Sequence, residues 1–164
     1  MVELELSAIP AGRAIVHLKT WMRAPASLSS LASSVGAAAR LLALGPDEWL
    51  MISDSLDGPG LHATVAALAR SHGMAAVDLS QGMAGLKLKG TAARDVLASG
   101  CGLDLHPRAF PVGCCTRTRL AQLAVVIECT HSEPQYELYV GASYLPYLQA
   151  WLEDAASAIT DAMG

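Results

Sequence analysis

Apolar and polar side chains alternate strictly along Val2-Glu3-Leu4-Glu5-Leu6, the spacing of a strand with one face in a core. Ala14 to Trp21 is β-branched and apolar and predicts a second strand. The Ser/Ala-rich stretch from Ala24-Pro25 to Val35-Gly36 fits a loop or a short helix equally well. Arg40 to Leu44 and Trp49 to Ser53 are short apolar runs on either side of Gly45-Pro46-Asp47-Glu48. Pro46 presets the φ of a turn, so the pair predicts a hairpin. After Asp57-Gly58-Pro59-Gly60, Leu61, Val65, Leu68 and His72 recur at helical spacing, and Gly73 supplies a terminator.

Two further strands, Ala76–Ser80 and Ala84–Lys89, are expected around a turn at Gln81-Gly82. Thr91 is a good N-cap for a short helix with Ala93, Val96 and Leu97 on its apolar stripe, ending at Gly100. Leu103 to Pro111 is irregular, broken by Pro107 and Pro111. Thr116 to Glu128 is the longest apolar strand candidate. After a turn at Thr130–Pro134, Tyr136–Val140 predicts its antiparallel partner. Ser143 can cap a last helix whose stripe is Leu145, Leu148, Leu152, Ala155 and Ile159. The sum is an α+β fold: an antiparallel sheet with helices packed on one face. It is expected as a single domain over residues 1–164, or as two small fused α+β layers of about 1–90 and 91–164.

Composition narrows the function classes. A chain of 164 residues can bury a core without metal or disulfide support. Its apolar fraction is 52%, yet no uncharged apolar run of about 18 residues is present, so no membrane partner is expected. The acidic start lacks the basic and apolar regions of a signal peptide, which makes the cytoplasm the expected location. The net charge is −4 and the 11 basic residues are scattered, so nucleic acid is not an expected partner. Charged residues make up only 16% of the chain. That is little for a free surface and fits a face covered by another protein, although an alanine-rich composition accounts for it as well.

The motifs offer little chemistry. Cys101, His106, Cys114 and Cys115 are metal-ligand types, but no Cys-x-x-Cys pair exists and neighbours in a strand point to opposite faces. Cys114 has His106, Arg117 and Arg119 near it in sequence, where cations could activate a thiol; a structural cysteine is the simpler expectation. Gly-x-Ser-x-Gly, Gly-x-Gly-x-x-Gly and Walker patterns are all absent. No catalytic residue, metal site or cofactor is therefore expected in this chain. Asp78 lies in an apolar strand and, if buried, needs a partner, for which Arg94 is the candidate. Cys101–Pro111 is a long irregular stretch rich in anchor-type side chains. It nominates His106, Arg108 and Phe110 as interface residues, with Arg119 beyond it.

These stretches also resemble a known family. Leu44-Gly45-Pro46-Asp47-Glu48-Trp49-Leu50, Asp78-Leu79-Ser80-Gln81-Gly82 and Leu86-Lys87-Leu88-Lys89-Gly90 are similar to signatures of the sarcosine oxidase gamma subunit family. So are Ala93-Arg94-Asp95-Val96-Leu97, the run Gly100–Pro111, Thr118-Arg119-Leu120-Ala121-Gln122 and Tyr136–Val140. The resemblance covers roughly residues 40 to 153, in order. It implies a fold like the folate-binding domain of aminomethyltransferases (the glycine-cleavage T-protein group). It further implies a non-catalytic structural subunit of a heterotetrameric flavoenzyme that oxidatively demethylates sarcosine or a related N-methyl amino acid. FAD, FMN, NAD and tetrahydrofolate would then belong to larger, flavin-binding partner subunits. The alternative is a free-standing tetrahydrofolate-binding, aminomethyltransferase-like protein, in which Asp78 would be the cofactor-binding residue.

Overall fold

The computed structural model describes residues 4–21 and 26–163; Val2, Glu3 and the Ala24-Pro25 start of the Ser/Ala-rich stretch lie outside these. Nine strands are described: β1 (Glu5–Ala8), β2 (Ala14–Thr20), β3 (Arg40–Gly45), β4 (Glu48–Ser53), β5 (Met74–Asp78), β6 (Met83–Lys89), β7 (Cys115–Leu120), β8 (Leu123–His131) and β9 (Gln135–Gly141). The helices are α1 (Ala26–Val35), α2 (Gly58–Ser71), α3 (Ala93–Ala98) and α4 (Leu145–Met163). None is long and apolar enough to cross a membrane. The chain divides into two compact units, Pro10–Met83 and the residues up to Ile9 with Ala84–Gly164.

The first unit holds a four-stranded sheet in the order β3-β4-β2-β5. Its pairings are antiparallel, with Val16 opposite both Met51 and Asp78. Ala14, Val16, Leu18, Trp49, Met51 and Met74 form one face. Leu31 and Val35 of α1 and Leu61, Val65 and Ala69 of α2 pack against it. The Ser/Ala-rich stretch is thus a helix where it is described. Its apolar anchors Leu31 and Val35 stand four apart on one face, too short a pattern to separate helix from loop beforehand. On the opposite sheet face Ile15, Leu42, Leu50 and Ile52 are buried as well. Burial on both faces explains why Trp49–Ile52 is a continuous apolar run rather than an alternating one.

The second unit holds a five-stranded sheet, β1-β6-β9-β8-β7. Leu86, Leu88, Val125, Ile127, Tyr136, Leu138 and Val140 pack with Val96 and Leu97 of α3 and Leu148 and Leu152 of α4. The α+β class with antiparallel pairing is therefore as expected, but there are two sheets rather than one. The turn at Gln81-Gly82 forms, with the Gly82 N–H donating to the Leu79 carbonyl at 2.9 Å. The strands it joins, β5 and β6, belong to different sheets. The chain passes between the units twice, between Ile9 and Pro10 and between Met83 and Ala84.

Three local expectations change. Thr116–Glu128 is two strands, because Ala121 and Gln122 turn the chain back with φ of 51° and 70°. Leu120 faces Leu123, so this is a two-residue hairpin loop of the type that needs positive φ at both central positions. Neither residue is Gly, Asn or Asp, and the usual turn signal is missing. Thr91 is not the cap of α3: Ala92 is, with no side-chain cap bond. Ser143 lies inside a 3-10 turn, Ala142–Tyr144, that leads into α4.

Two substitutions test this packing. Ala121→Gly removes a Cβ from a left-handed residue and is expected to stabilise the protein by about 0.5–1 kcal/mol in denaturant unfolding. Gly100→Ala would drive a Cβ into the Trp151 ring and is expected to cost about 1–3 kcal/mol in the same measurement.

Candidate functional site

Asp78 ends β5, and it is exposed rather than buried. Arg94, the partner considered for it, belongs to the other unit, where its Nε donates to the Tyr136 hydroxyl at 3.2 Å. Asp78 instead turns onto its own chain. Its Oδ1 accepts from the Ser80 hydroxyl at 2.6 Å and from the Ser80 N–H at 2.9 Å. These bonds, the hydroxyl's first, hold the carboxyl below its ordinary range, with a smaller contribution from His62. Ser80 is buried, and its Oγ also accepts from the Ile15 N–H at 2.9 Å. The Leu79 N–H returns to the Ile15 carbonyl at 2.8 Å.

The same turn reaches the start of α2. A Cβ built on Gly58 would stand 2.6 and 2.7 Å from the two Asp78 oxygens and against the Ser80 hydroxyl. The carboxylate thus sits at the N-terminal end of the helix, where negative charge is favourable. Asp57 caps that helix, its Oδ1 accepting from the Gly60 N–H at 2.8 Å. Asp78, the one residue nominated for folate, is committed to joining β2, β5 and α2.

The nominated interface residues separate into two kinds. His106 and Arg108 are exposed. The loop organises itself around them: Asp104 Oδ1 accepts from the His106 N–H, and His106 Nδ1 accepts from the Arg108 N–H. Arg119 is exposed on β7 and donates to Gln122 Oε1 at 2.6 Å. Phe110 is buried at 6% exposure and packs in the core with Leu105. It anchors the loop to its own sheet and leaves little of its side chain exposed.

The cysteines are all unpaired as disulfides. No hydrogen bond joins Cys114 to His106 or Arg119; its carbonyl accepts from the Cys129 N–H, and its N–H donates to the Pro111 carbonyl. Burial pushes the Cys129 thiol above its ordinary pKa. Among the described residues, no three His, Cys, Asp or Glu side chains group to hold a metal.

One polar cluster escaped the sequence. Glu128 and Glu137 stand directly opposite each other on β8 and β9, at 5% and 4% exposure. The Tyr139 hydroxyl donates to Glu137 Oε2 at 2.5 Å, and Lys87 Nζ lies 3.9 Å from Oε1. Alternation along Tyr136–Val140 places Glu137 opposite the apolar stripe, which ordinarily means water. The only sequence signal was Tyr139 on that same face, since a large aromatic there is unusual for a wet surface.

A family model described as the sarcosine oxidase gamma subunit family matches residues 6–158. The gamma subunit of sarcosine oxidase from Corynebacterium sp. (strain U-96) is 35% identical over 158 residues, covering 94% of this chain and 75% of that one. A chain of the heterotetrameric sarcosine oxidase of Corynebacterium sp. U-96, solved with pyrrole 2-carboxylate, superposes with a TM-score of 0.83 at 27% identity. That match covers 94% of this chain and 84% of the other. Aminomethyltransferase T of the glycine cleavage system from Bartonella henselae matches at TM-score 0.65 and 15% identity, over 92% of this chain and 45% of its own. The last likeness is one of fold.

Gly58→Ala is expected to destabilise the protein by about 1–3 kcal/mol in urea unfolding, because the Asp78 turn cannot move without releasing β2. Asp78→Asn tests the electrostatic part. The folded-state pKa of Asp78 is depressed, so its contribution is complete above the ordinary value of 3.8 and is lost as pH falls through the lower folded value. The stability gap between wild type and Asp78→Asn should therefore be constant from pH 7 down to about 4 and close below it.

Proposed function

The chain belongs to the sarcosine oxidase gamma subunit family, and on that basis we propose that it is the small, non-catalytic structural subunit of a heterotetrameric flavoenzyme. That enzyme oxidatively demethylates sarcosine or a related N-methyl amino acid and passes the one-carbon unit to tetrahydrofolate. The observation that carries this reading is the match, along nearly the whole chain, to a chain of a heterotetrameric sarcosine oxidase. FAD, FMN, NAD and tetrahydrofolate are assigned to the larger partner subunits.

What the motifs do locally supports a scaffold role. The Asp78-Leu79-Ser80 stretch ties strands to a helix. Gly100 lies against the Trp151 ring, and the run after it buries Leu105 and Phe110. Leu120-Ala121-Gln122 makes a hairpin turn. Each resembles a family signature, and each is occupied with packing the chain. Asp78 fits folate poorly: Oδ1 is filled by two Ser80 donors, and both oxygens crowd Gly58. The alternative of a free-standing tetrahydrofolate-binding aminomethyltransferase would need a residue other than Asp78.

Expression of the partner subunits with and without this chain tests the proposal. With it, a four-chain complex is expected on gel filtration. Without it, the remaining chains should keep their flavins but be recovered in lower yield and melt at a lower temperature. Calorimetric titration of the isolated chain with tetrahydrofolate is expected to show no binding at millimolar ligand. Binding that is lost in Asp78→Asn would favour the free-standing alternative.

A further inference from the structure

A cleft of about 180 Å³ lies in the unit with the five-stranded sheet. Arg94 of α3 lines it, with Phe110, Pro111 and Val112 from the loop and Cys129 and His131 from the end of β8. Val112 is 53% exposed, an apolar side chain left open on this cleft.

Arg94 is half-buried. A guanidinium carries five N–H donors, and among the described residues the one hydrogen bond Arg94 makes is from Nε to the Tyr136 hydroxyl. Among the described residues no carboxylate pairs with it. The acidic-hydrogen groups beside it are no anions at neutral pH: burial raises both the Cys129 thiol and the Tyr136 phenol. The cleft thus holds a partly desolvated cation without a counter-charge, walled by apolar side chains. A carboxylate reaching it would form a charge-assisted, two-pronged contact out of bulk water, where such contacts are strongest. The volume is below the roughly 300–1,000 Å³ of small-molecule and cofactor sites, so a single side chain fits it and a cofactor does not.

We propose that this cleft receives an Asp or Glu side chain from a partner subunit, its carboxylate on the Arg94 guanidinium and its methylenes against Phe110, Pro111 and Val112. The proposal rests on the subunit reading above and names the part of this chain that recognises its partner. It also places recognition one step along from the His106–Arg108 stretch, at the loop's closing residues.

The test is dissociation of this chain from the co-expressed complex, followed by sedimentation for wild type, Arg94→Met, Arg94→Lys and Val112→Asp. Arg94→Met is expected to weaken association by at least about ten-fold, as loss of one partner of a desolvated charge pair does. Arg94→Lys keeps the charge without the fork and should lose affinity, but less than Arg94→Met. Val112→Asp sits on an exposed residue, leaves folding intact and should weaken association by a similar factor through repulsion of the incoming carboxylate. If Arg94→Met and Val112→Asp both hold the complex as tightly as wild type, the proposal is overturned; the cleft would then be empty or take a small free carboxylate. Equal losses in Arg94→Lys and Arg94→Met would overturn recognition of charge. A wild-type chain that never joins the partner subunits would overturn the subunit reading, and this inference with it.

Discussion

Helix α2 starts beside the point where strand β5 ends, and the Asp78 carboxylate is held at that junction. Ser80 makes this possible by serving two partners at once: its hydroxyl donates to Asp78 and accepts from the Ile15 N–H. One short turn therefore fixes the end of β5, the start of β2 and the approach of α2. Gly58 is required there because any side chain would displace the carboxylate. The core of that unit, from Val16 and Met51 to Leu61 and Val65, is assembled around this junction. One oxygen of that carboxylate, Oδ1, is thereby occupied within the chain.

The second unit solves an analogous problem with apolar anchors. The Cys101–Pro111 stretch has little regular structure, yet Leu105 and Phe110 pin it to the sheet. That leaves His106 and Arg108 exposed and carries Val112 to the cleft beside Arg94. A loop held at its buried positions can present polar side chains in a fixed arrangement, which is what recognition by a partner requires.

Strands and helices were legible where one face alone is buried and the period is clean. Leu61, Val65 and Leu68 defined α2, and Gly73, at φ +67°, ends it. Legibility failed where local sequence is silent about long-range pairing. Nothing in Gln81-Gly82 distinguishes a hairpin from a crossing between sheets. Ala121-Gln122 makes a tight hairpin turn with residues that advertise none, because the pairing of Leu120 with Leu123 imposes the positive φ angles. The site was misread for a related reason. Asp78 seemed buried because its strand is apolar, but it lies at the strand's exposed end. Glu128 and Glu137 drew no notice in the sequence, and their face is buried too. Arg94 was noticed only as a partner for Asp78, and its place in a cleft depends on a loop whose path the sequence does not define.

Scaffolding and recognition thus fall to different residues of this chain. The stretches that resemble the gamma subunit family are occupied in folding, and the feature left over is a cation facing an apolar cleft. We propose that this chain works as a member of a larger assembly and leaves the cofactors to its partners. Native mass spectrometry of the co-expressed complex tests it most directly. The account predicts one copy of this 17.1 kDa chain in every four-chain particle, and all flavin and folate mass on the other chains when it is released. A stable monomer that stays outside the particle, or one that carries tetrahydrofolate on its own, would contradict it.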